Sequence, residues 1–185
     1  MKKTKAIVLI SGNGSNLLNI IKNVNSGFIN MDIFMVISNN PKAKGLNIAE
    51  NHNIPILSID TNKKFDDLLS EIIDKNSIDL LILAGFMKIL PQSITNKYDG
   101  MIINIHPSLL PKYKGLNTHE RAIQNKDKFS GCTVHFVNSR LDSGKIINQK
   151  KVRINKFDTP ETLKKRILIQ EHKLYPAAIL KIFNL

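Results

Sequence analysis

The chain has one cysteine, no tryptophan and no apolar run long enough to span a bilayer. Each absence excludes something. A lone cysteine, Cys132, rules out an internal disulfide and any cysteine-cluster metal site, and it reads as a small buried filler. The few aromatics are not interleaved with basic residues, so the stacking platform of a single-strand nucleic-acid binder is missing. Acidic residues are scarce too: 15 against 27 Lys and Arg, for a net charge of +12. That charge alone would suit a nucleic-acid binder of Rossmann type. The lysines, however, are spread along the chain beside abundant Asn and Ile, which reads as compositional drift. Neither nucleic acid nor membrane is therefore expected as a partner. A positive field would still gather small anionic substrates.

The basic start at 1–5 is followed by only a short apolar stretch. That stretch runs into Ser11-Gly12-Asn13-Gly14 and not into a small-residue cleavage site, so it reads as a first strand and not a signal peptide. A cytoplasmic location is the expectation. At 185 residues and 42% hydrophobic, the chain is expected to form one domain over 1–185, with a sizeable core and neither linker nor repeat.

Apolar runs at 6–10, 33–37, 54–59, 80–84 and 101–105 predict five strands, several of them continuous enough to be buried on both faces. Between them Leu17, Leu18, Ile21 and Val24 recur at helical spacing, a helix runs from after Pro41 to about 51, and Phe65, Leu68, Leu69, Ile72 and Ile73 line one helix face. Alternating strands and helices predict a doubly wound, Rossmann-like α/β sheet that is parallel in its N-terminal half. The second half differs. Strands at 133–137 and 145–154, joined by a short loop, predict an antiparallel pair and hence a mixed sheet. A last helix starts at Thr159-Pro160, with Thr as cap and Pro in the first helical position, and Leu163, Ile167 and Leu174 face the core.

Three segments carry chemistry. In Asn104-Ile105-His106-Pro107-Ser108-Leu109-Leu110-Pro111 an amide and an imidazole leave one face of a buried strand at its C-terminal end, where open α/β sheets place ligands. Further on, Leu141-Asp142-Ser143-Gly144 offers a carboxylate in a turn, which by itself could be a turn former. Asn104, His106 and Asp142 together suit acyl transfer: two donors for a developing oxyanion, and a carboxylate to orient the imidazole. The loop Ser11-Gly12-Asn13-Gly14-Ser15-Asn16 brings backbone N–H groups and a helix N-terminus together. It lacks the third glycine of a dinucleotide fingerprint and the Lys-Ser/Thr pair of a P-loop, so a phosphomonoester site and a plain tight turn both stay open. Gly85-Phe86-Met87-Lys88-Ile89-Leu90-Pro91 is either an apolar helix start or the wall of a pocket for a flat ring system. His135 could face the site or be a hydrogen-bonded sheet residue, His119 has a weaker claim, and His52 and His172 are expected at the surface.

These segments together, with Leu83-Ala84-Gly85-Phe86-Met87-Lys88-Ile89-Leu90 and Val134-His135-Phe136-Val137, resemble the phosphoribosylglycinamide formyltransferases, folate-dependent enzymes of purine synthesis in the formyltransferase superfamily. The resemblance implies Asn104, His106 and Asp142 as the catalytic trio. It implies that Gly14, Ser15 and Asn16, in the loop with Gly12 and Asn13, hold a ribonucleotide phosphate, and that Glu171 binds the ribose hydroxyls. The folate would meet Met87, Lys88, Ile89 and Leu90, the segment with Val137, Ser139, Arg140 and Leu141, Asn104, and Lys64 (or Lys63) for its tail. The implied co-substrate is 10-formyltetrahydrofolate and the implied acceptor is the amine of glycinamide ribonucleotide, with no metal. The sequence departs from the family at Lys88, usually Arg, at Ser143, often Gly, at Lys145, often Pro, and at Lys114.

In the implied reaction the amine attacks the formyl carbon directly. Asn104 and protonated His106 stabilise the oxyanion, and Asp142 raises the pKa of His106. Two related activities are expected to be absent, because the chain has no room for the C-terminal RNA-binding domain of methionyl-tRNA formyltransferase and begins at its first strand, without the regulatory domain of formyltetrahydrofolate deformylase.

Overall fold

The computed structural model describes residues 3–59 and 64–183, apart from the side chain of Lys64. In chain order the elements are β1 (Thr4–Ile10), α1 (Ser15–Asn25), β2 (Met31–Ser38), α2 (Lys44–Asn51), β3 (Ile56–Ser58), α3 (Lys64–Asn76), β4 (Leu80–Leu83), α4 (Gln92–Lys97), β5 (Ile102–His106), α5 (Thr118–Gln124), β6 (Phe129–Phe136), β7 (Ile146–Arg153) and α6 (Pro160–Phe183). The strand order is β3-β2-β1-β4-β5-β6-β7. Pairings of β1 with β2, β1 with β4, and β2 with β3 are parallel, whereas β6 and β7 are antiparallel. This is the mixed, doubly wound α/β sheet that the strand and helix alternation predicts.

The chain divides into two compact units, Met1–Ile103 and Asn104–Leu185, with the boundary inside β5. In the first unit the β1 residues Ala6, Ile7, Val8, Leu9 and Ile10 are fully buried, as a strand covered on both faces requires. Helix α1 buries Leu17 and Ile21 as expected, but also Ile20, while Leu18 and Val24 are only half-buried; α3 buries Phe65, Leu69 and Ile73, while Leu68 and Ile72 stay half-buried at the margin of that face. Fully burying such a side chain stabilises the fold by about 1.5–3 kcal/mol. Between β1 and α1, Gly14 adopts a left-handed φ of 75°, and a Cβ there would lie 2.6 Å from the Gly45 Cα. A side chain is excluded twice over, by conformation and by the approach of α2.

In the second unit α6 packs against β6, β7 and α5, and it buries Leu163, Ile167, Leu174, Tyr175, Ala178 and Ile179. The Thr159 hydroxyl accepts from the Thr162 N–H at 3.3 Å and Pro160 opens the helix, as expected. Helix α5 has no counterpart in the sequence reading. It is short, and of its residues only Thr118 and Ala122 are buried, so its apolar periodicity is too weak to register. Strand β3 is shorter than its apolar run. His52 is exposed as expected, but His172 is half-buried on α6.

Candidate active site

Asn104, His106 and Asp142, the trio that the resemblance implies as catalytic, lie within the second unit. Strand β5 ends at His106, where Pro107 cannot continue the ladder. The His106 ring is buried, with Nδ1 3.3 Å from Asp142 Oδ2 and Nε2 2.8 Å from the carbonyl oxygen of Tyr113. A carbonyl only accepts, so Nε2 carries the proton and donates it. The neutral ring then faces Asp142 with a bare lone pair on Nδ1, whereas the imidazolium donates to both partners. Burial nevertheless pulls the His106 pKa below its ordinary value, against the Tyr113 carbonyl and Asp142, which both favour the charged ring. This corrects the expectation of a raised value: Asp142 acts in the expected sense, but desolvation outweighs it in the free protein.

Asp142 sits in the turn after β6 with a left-handed φ of 45° and a buried carboxylate. Its Oδ2 accepts from the Gly115 N–H at 2.8 Å, and its Oδ1 lies 3.6 Å from His135 Nε2. Burial pushes its pKa up, but hydrogen bonding and neighbouring groups, the Gly115 N–H and His106 among them, outweigh burial and hold it below the usual carboxylate value. It is therefore an anion at neutral pH. Half-buried Asn104 lies two residues before His106 on β5, with Nδ2 3.3 Å from His135 Nε2. The open question over His135 thus resolves inward: it touches both Asn104 and Asp142. Its sequence signal was the period of two along β6. Thr133, on the same face, accepts from Leu110 N–H at 3.1 Å and donates to the Ser108 carbonyl at 2.7 Å, fastening the loop that follows β5. The carbonyl of Tyr113 and the N–H of Gly115 had no signal, because every residue type supplies them.

His119 is half-buried, and its pKa is lowered by burial and then by Lys164 and His106. Glu171 is buried on α6. Cys132 is fully buried, with its thiol pushed up to about 12 mainly by burial, which makes it inert filler. Val137 is half-buried, whereas Ser139, Arg140 and Leu141 are exposed. Two departures from the family pattern meet here, since the Lys114 ammonium donates to the Ser143 hydroxyl.

In the first unit the loop from Ser11 leads into α1. The N-terminal cap is Gly14, which has no side chain to satisfy the first turn, and that turn carries no acidic residue. Gly12 and Asn13 are exposed, Ser15 half-buried and Asn16 buried. The Ser11 hydroxyl accepts from the Met87 N–H at 2.7 Å, and Ser11 N–H donates to the Gly85 carbonyl at 3.1 Å. The loop and the 85–90 segment are thus one assembly. That segment is not a helix; α4 starts only at Gln92. Met87 and Ile89 are each 69% exposed, while Phe86 and Leu90 are buried. Exposed large apolar side chains flanked by anchors suit a flat apolar ligand. Lys88 pairs with Asp66 at 3.1 Å and lies 4.3 Å over the Phe65 ring, which fixes its direction. The Lys64 side chain, and Lys63, lie outside the described residues. Among the described residues no cluster of His, Cys, Asp and Glu could hold a metal ion, and no helix is long and apolar enough to cross a membrane.

A family model described as formyl transferase matches residues 4–179. Phosphoribosylglycinamide formyltransferase of Haemophilus influenzae is 44% identical over 180 residues, covering 95% of this chain and 85% of the relative. The trifunctional purine biosynthetic protein adenosine-3 of Homo sapiens is 42% identical over 183 residues, covering 96% of this chain, which spans only 18% of that protein's length. The crystal structure of phosphoribosylglycinamide formyltransferase from Anaplasma phagocytophilum superimposes with a TM-score of 0.90 at 43% identity, covering 96% of this chain and 86% of that one.

Proposed function

Because this chain belongs to the formyl transferase family, we propose that it moves the formyl group of 10-formyltetrahydrofolate to the amine of N1-(5-phospho-D-ribosyl)glycinamide, a step of purine (IMP) synthesis. The observation that carries this reading is the buried His106–Asp142 pair with Asn104 at the end of β5, in a chain so similar to enzymes of that name.

The amine is already a nucleophile and attacks the formyl carbon without a covalent enzyme intermediate. Negative charge develops on the formyl oxygen. Asn104 offers it an N–H, and one such donor is worth roughly 3 kcal/mol in comparable sites. His106 acts as imidazolium once the substrates are bound: Nε2–H stays with the Tyr113 carbonyl, and Nδ1–H, which meets Asp142 only at 3.3 Å, is shared between that carboxylate and the developing oxyanion. Asp142 holds that charge and helps carry the amine's lost proton through water to the leaving nitrogen. Holding both substrates together supplies much of the remaining acceleration. The scheme uses no metal.

For recognition, residues 12–16 hold the phosphate at the start of α1, and Glu171 holds the ribose hydroxyls. Exposed Met87 and Ile89 suit the flat pterin of the folate, and Leu141 is proposed as a folate contact from the family resemblance. The neighbouring segment 137–140 contributes backbone groups, and Lys88, Lys64 and Arg140 contribute positive charge. Small molecules, and neither nucleic acid nor membrane, are the partners, and the proposed setting is the cytoplasm. Residues 1–185 act together as one formyl-transfer domain.

The test is an absorbance assay of 10-formyltetrahydrofolate consumption. Turnover should require the ribonucleotide. Equal turnover in water alone would point to deformylase chemistry, and turnover with initiator methionyl-tRNA to the RNA-directed transferase.

A further inference from the structure

His135 is not one of the trio, yet it is almost completely buried, at 1% exposure, between two of its members. Its Nδ1 lies 2.7 Å from the carbonyl oxygen of Phe136. A carbonyl has no hydrogen to give, so Nδ1 carries the proton. In the neutral ring Nε2 is then a bare lone pair, able to accept one hydrogen bond and to donate none. Asn104 Nδ2 stands 3.3 Å away. Asp142 Oδ1, at 3.6 Å from the same nitrogen, has no hydrogen to offer as the anion. The acceptor on His135 is therefore served by the amide of Asn104.

We infer that His135 is a positioning residue that fixes which way the Asn104 amide faces. This rests on the reading of Asn104 as the oxyanion donor. An amide can sit in its socket in two orientations related by a half-turn. Facing His135 with its NH2, Asn104 spends one N–H on Nε2 and keeps the other for the developing oxyanion. Turned over, it would set its own carbonyl oxygen against the Nε2 lone pair and change the groups it presents to the substrate. Two acceptors in contact repel, so the turned state is disfavoured. A chain of hydrogen bonds thus runs from the backbone of β6 through the imidazole to the amide, setting donor polarity before substrate arrives. Preorganised donors cost no reorganisation during the reaction, which is where such polarity acts on rate.

The experiment compares wild type, His135→Leu and His135→Gln, each alone and with Asn104→Ala. Leucine removes the acceptor. Glutamine restores one, because its carbonyl oxygen can occupy the position of Nε2. The expected result is a fall in kcat of about tenfold for His135→Leu, the scale of one lost hydrogen bond. KM for both substrates should stay within about twofold, and His135→Gln should recover most of kcat. In the Asn104→Ala background His135→Leu should do nothing further, because the residue it acts through is gone. Additive losses in the double variant, or an unchanged kcat in His135→Leu, would overturn the assignment.

A readout independent of turnover is the side-chain NH2 pair of Asn104 in 15N-labelled protein, identified by its disappearance in Asn104→Ala. One of its two protons should be shifted downfield in wild type and in His135→Gln, and should return in His135→Leu. An unmoved pair in folded His135→Leu sinks the link between the two residues. A moved pair in a protein that transfers no formyl group to the ribonucleotide would leave the link standing and overturn the proposed function instead.

Discussion

The imidazole of His106 donates through Nε2 to the carbonyl oxygen of Tyr113 at 2.8 Å, which turns Nδ1 toward Asp142. That carbonyl belongs to a residue with a left-handed φ of 54°. Its side chain is anchored in turn: the Tyr113 hydroxyl donates to Asp127 at 2.9 Å and accepts from the Asn125 amide at 3.0 Å. The orientation of the ring therefore depends on a loop seven residues away in sequence, while its charge depends on a carboxylate from another turn.

Asp142→Asn isolates that charge. Asparagine tolerates the left-handed conformation and can still accept from the Gly115 N–H, so folding should be little changed. The anion that favours protonated His106 is lost, and each unit of lowered pKa corresponds to about 1.4 kcal/mol. Turnover should fall by at least about two orders of magnitude, with calorimetric affinities for both substrates retained. Near-wild-type turnover would reduce Asp142 to a turn former. Joint loss of binding and turnover would mean that the turn shapes the folate pocket.

Ser15→Glu tests the loop of the first unit. A carboxylate in the first turn of α1 is compatible with the helix dipole, so the helix should persist. It would repel the substrate phosphate and remove a hydroxyl partner. Ribonucleotide affinity should weaken by about 2–4 kcal/mol while folate affinity stays nearly constant. Equal weakening of both ligands would identify the loop as a folding element.

Stability should fall as pH falls, in two windows. His106 and His119 have folded-state pKa values below their ordinary 6.5. Below 6.5 the unfolded chain takes up protons first, so their stabilisation is complete above that value and is lost toward the lower folded-state value. Asp142 is likewise below its ordinary 3.8 and adds a second loss under that pH. Urea midpoints should be flat above about pH 7.5 and decline from 6.5 downward, with a shallower decline in His106→Asn. A midpoint that rises on acidification through 6.5 would reverse the sign assigned to burial.

Gly14→Ala should destabilise the first unit by about 1–3 kcal/mol. It combines a left-handed backbone with a methyl 2.6 Å from the Gly45 Cα. Urea unfolding measures this directly, and an unchanged midpoint would mean that α2 yields without cost.

Several features were legible in the residues themselves. The buried β1, the existence of α1, the helix face of α3 and the Thr159-Pro160 start of α6 follow from periodicity and capping, which are local properties. Asn104 and His106 could be read for a similar reason: polar side chains closing a buried strand are anomalous unless something uses them. Tertiary structure alone decided the rest. Tyr113 supplies a backbone carbonyl, which no residue type marks. His135 was ambiguous because alternation along β6 gives its face but not its neighbour across the strands. The exposure of Met87 and Ile89 beside buried Phe86 and Leu90 depends on which atoms of the chain return to cover them. The direction of the His106 pKa depended on burial, a sum over the whole surroundings, and that sum outweighed the one carboxylate that the sequence could pair with it.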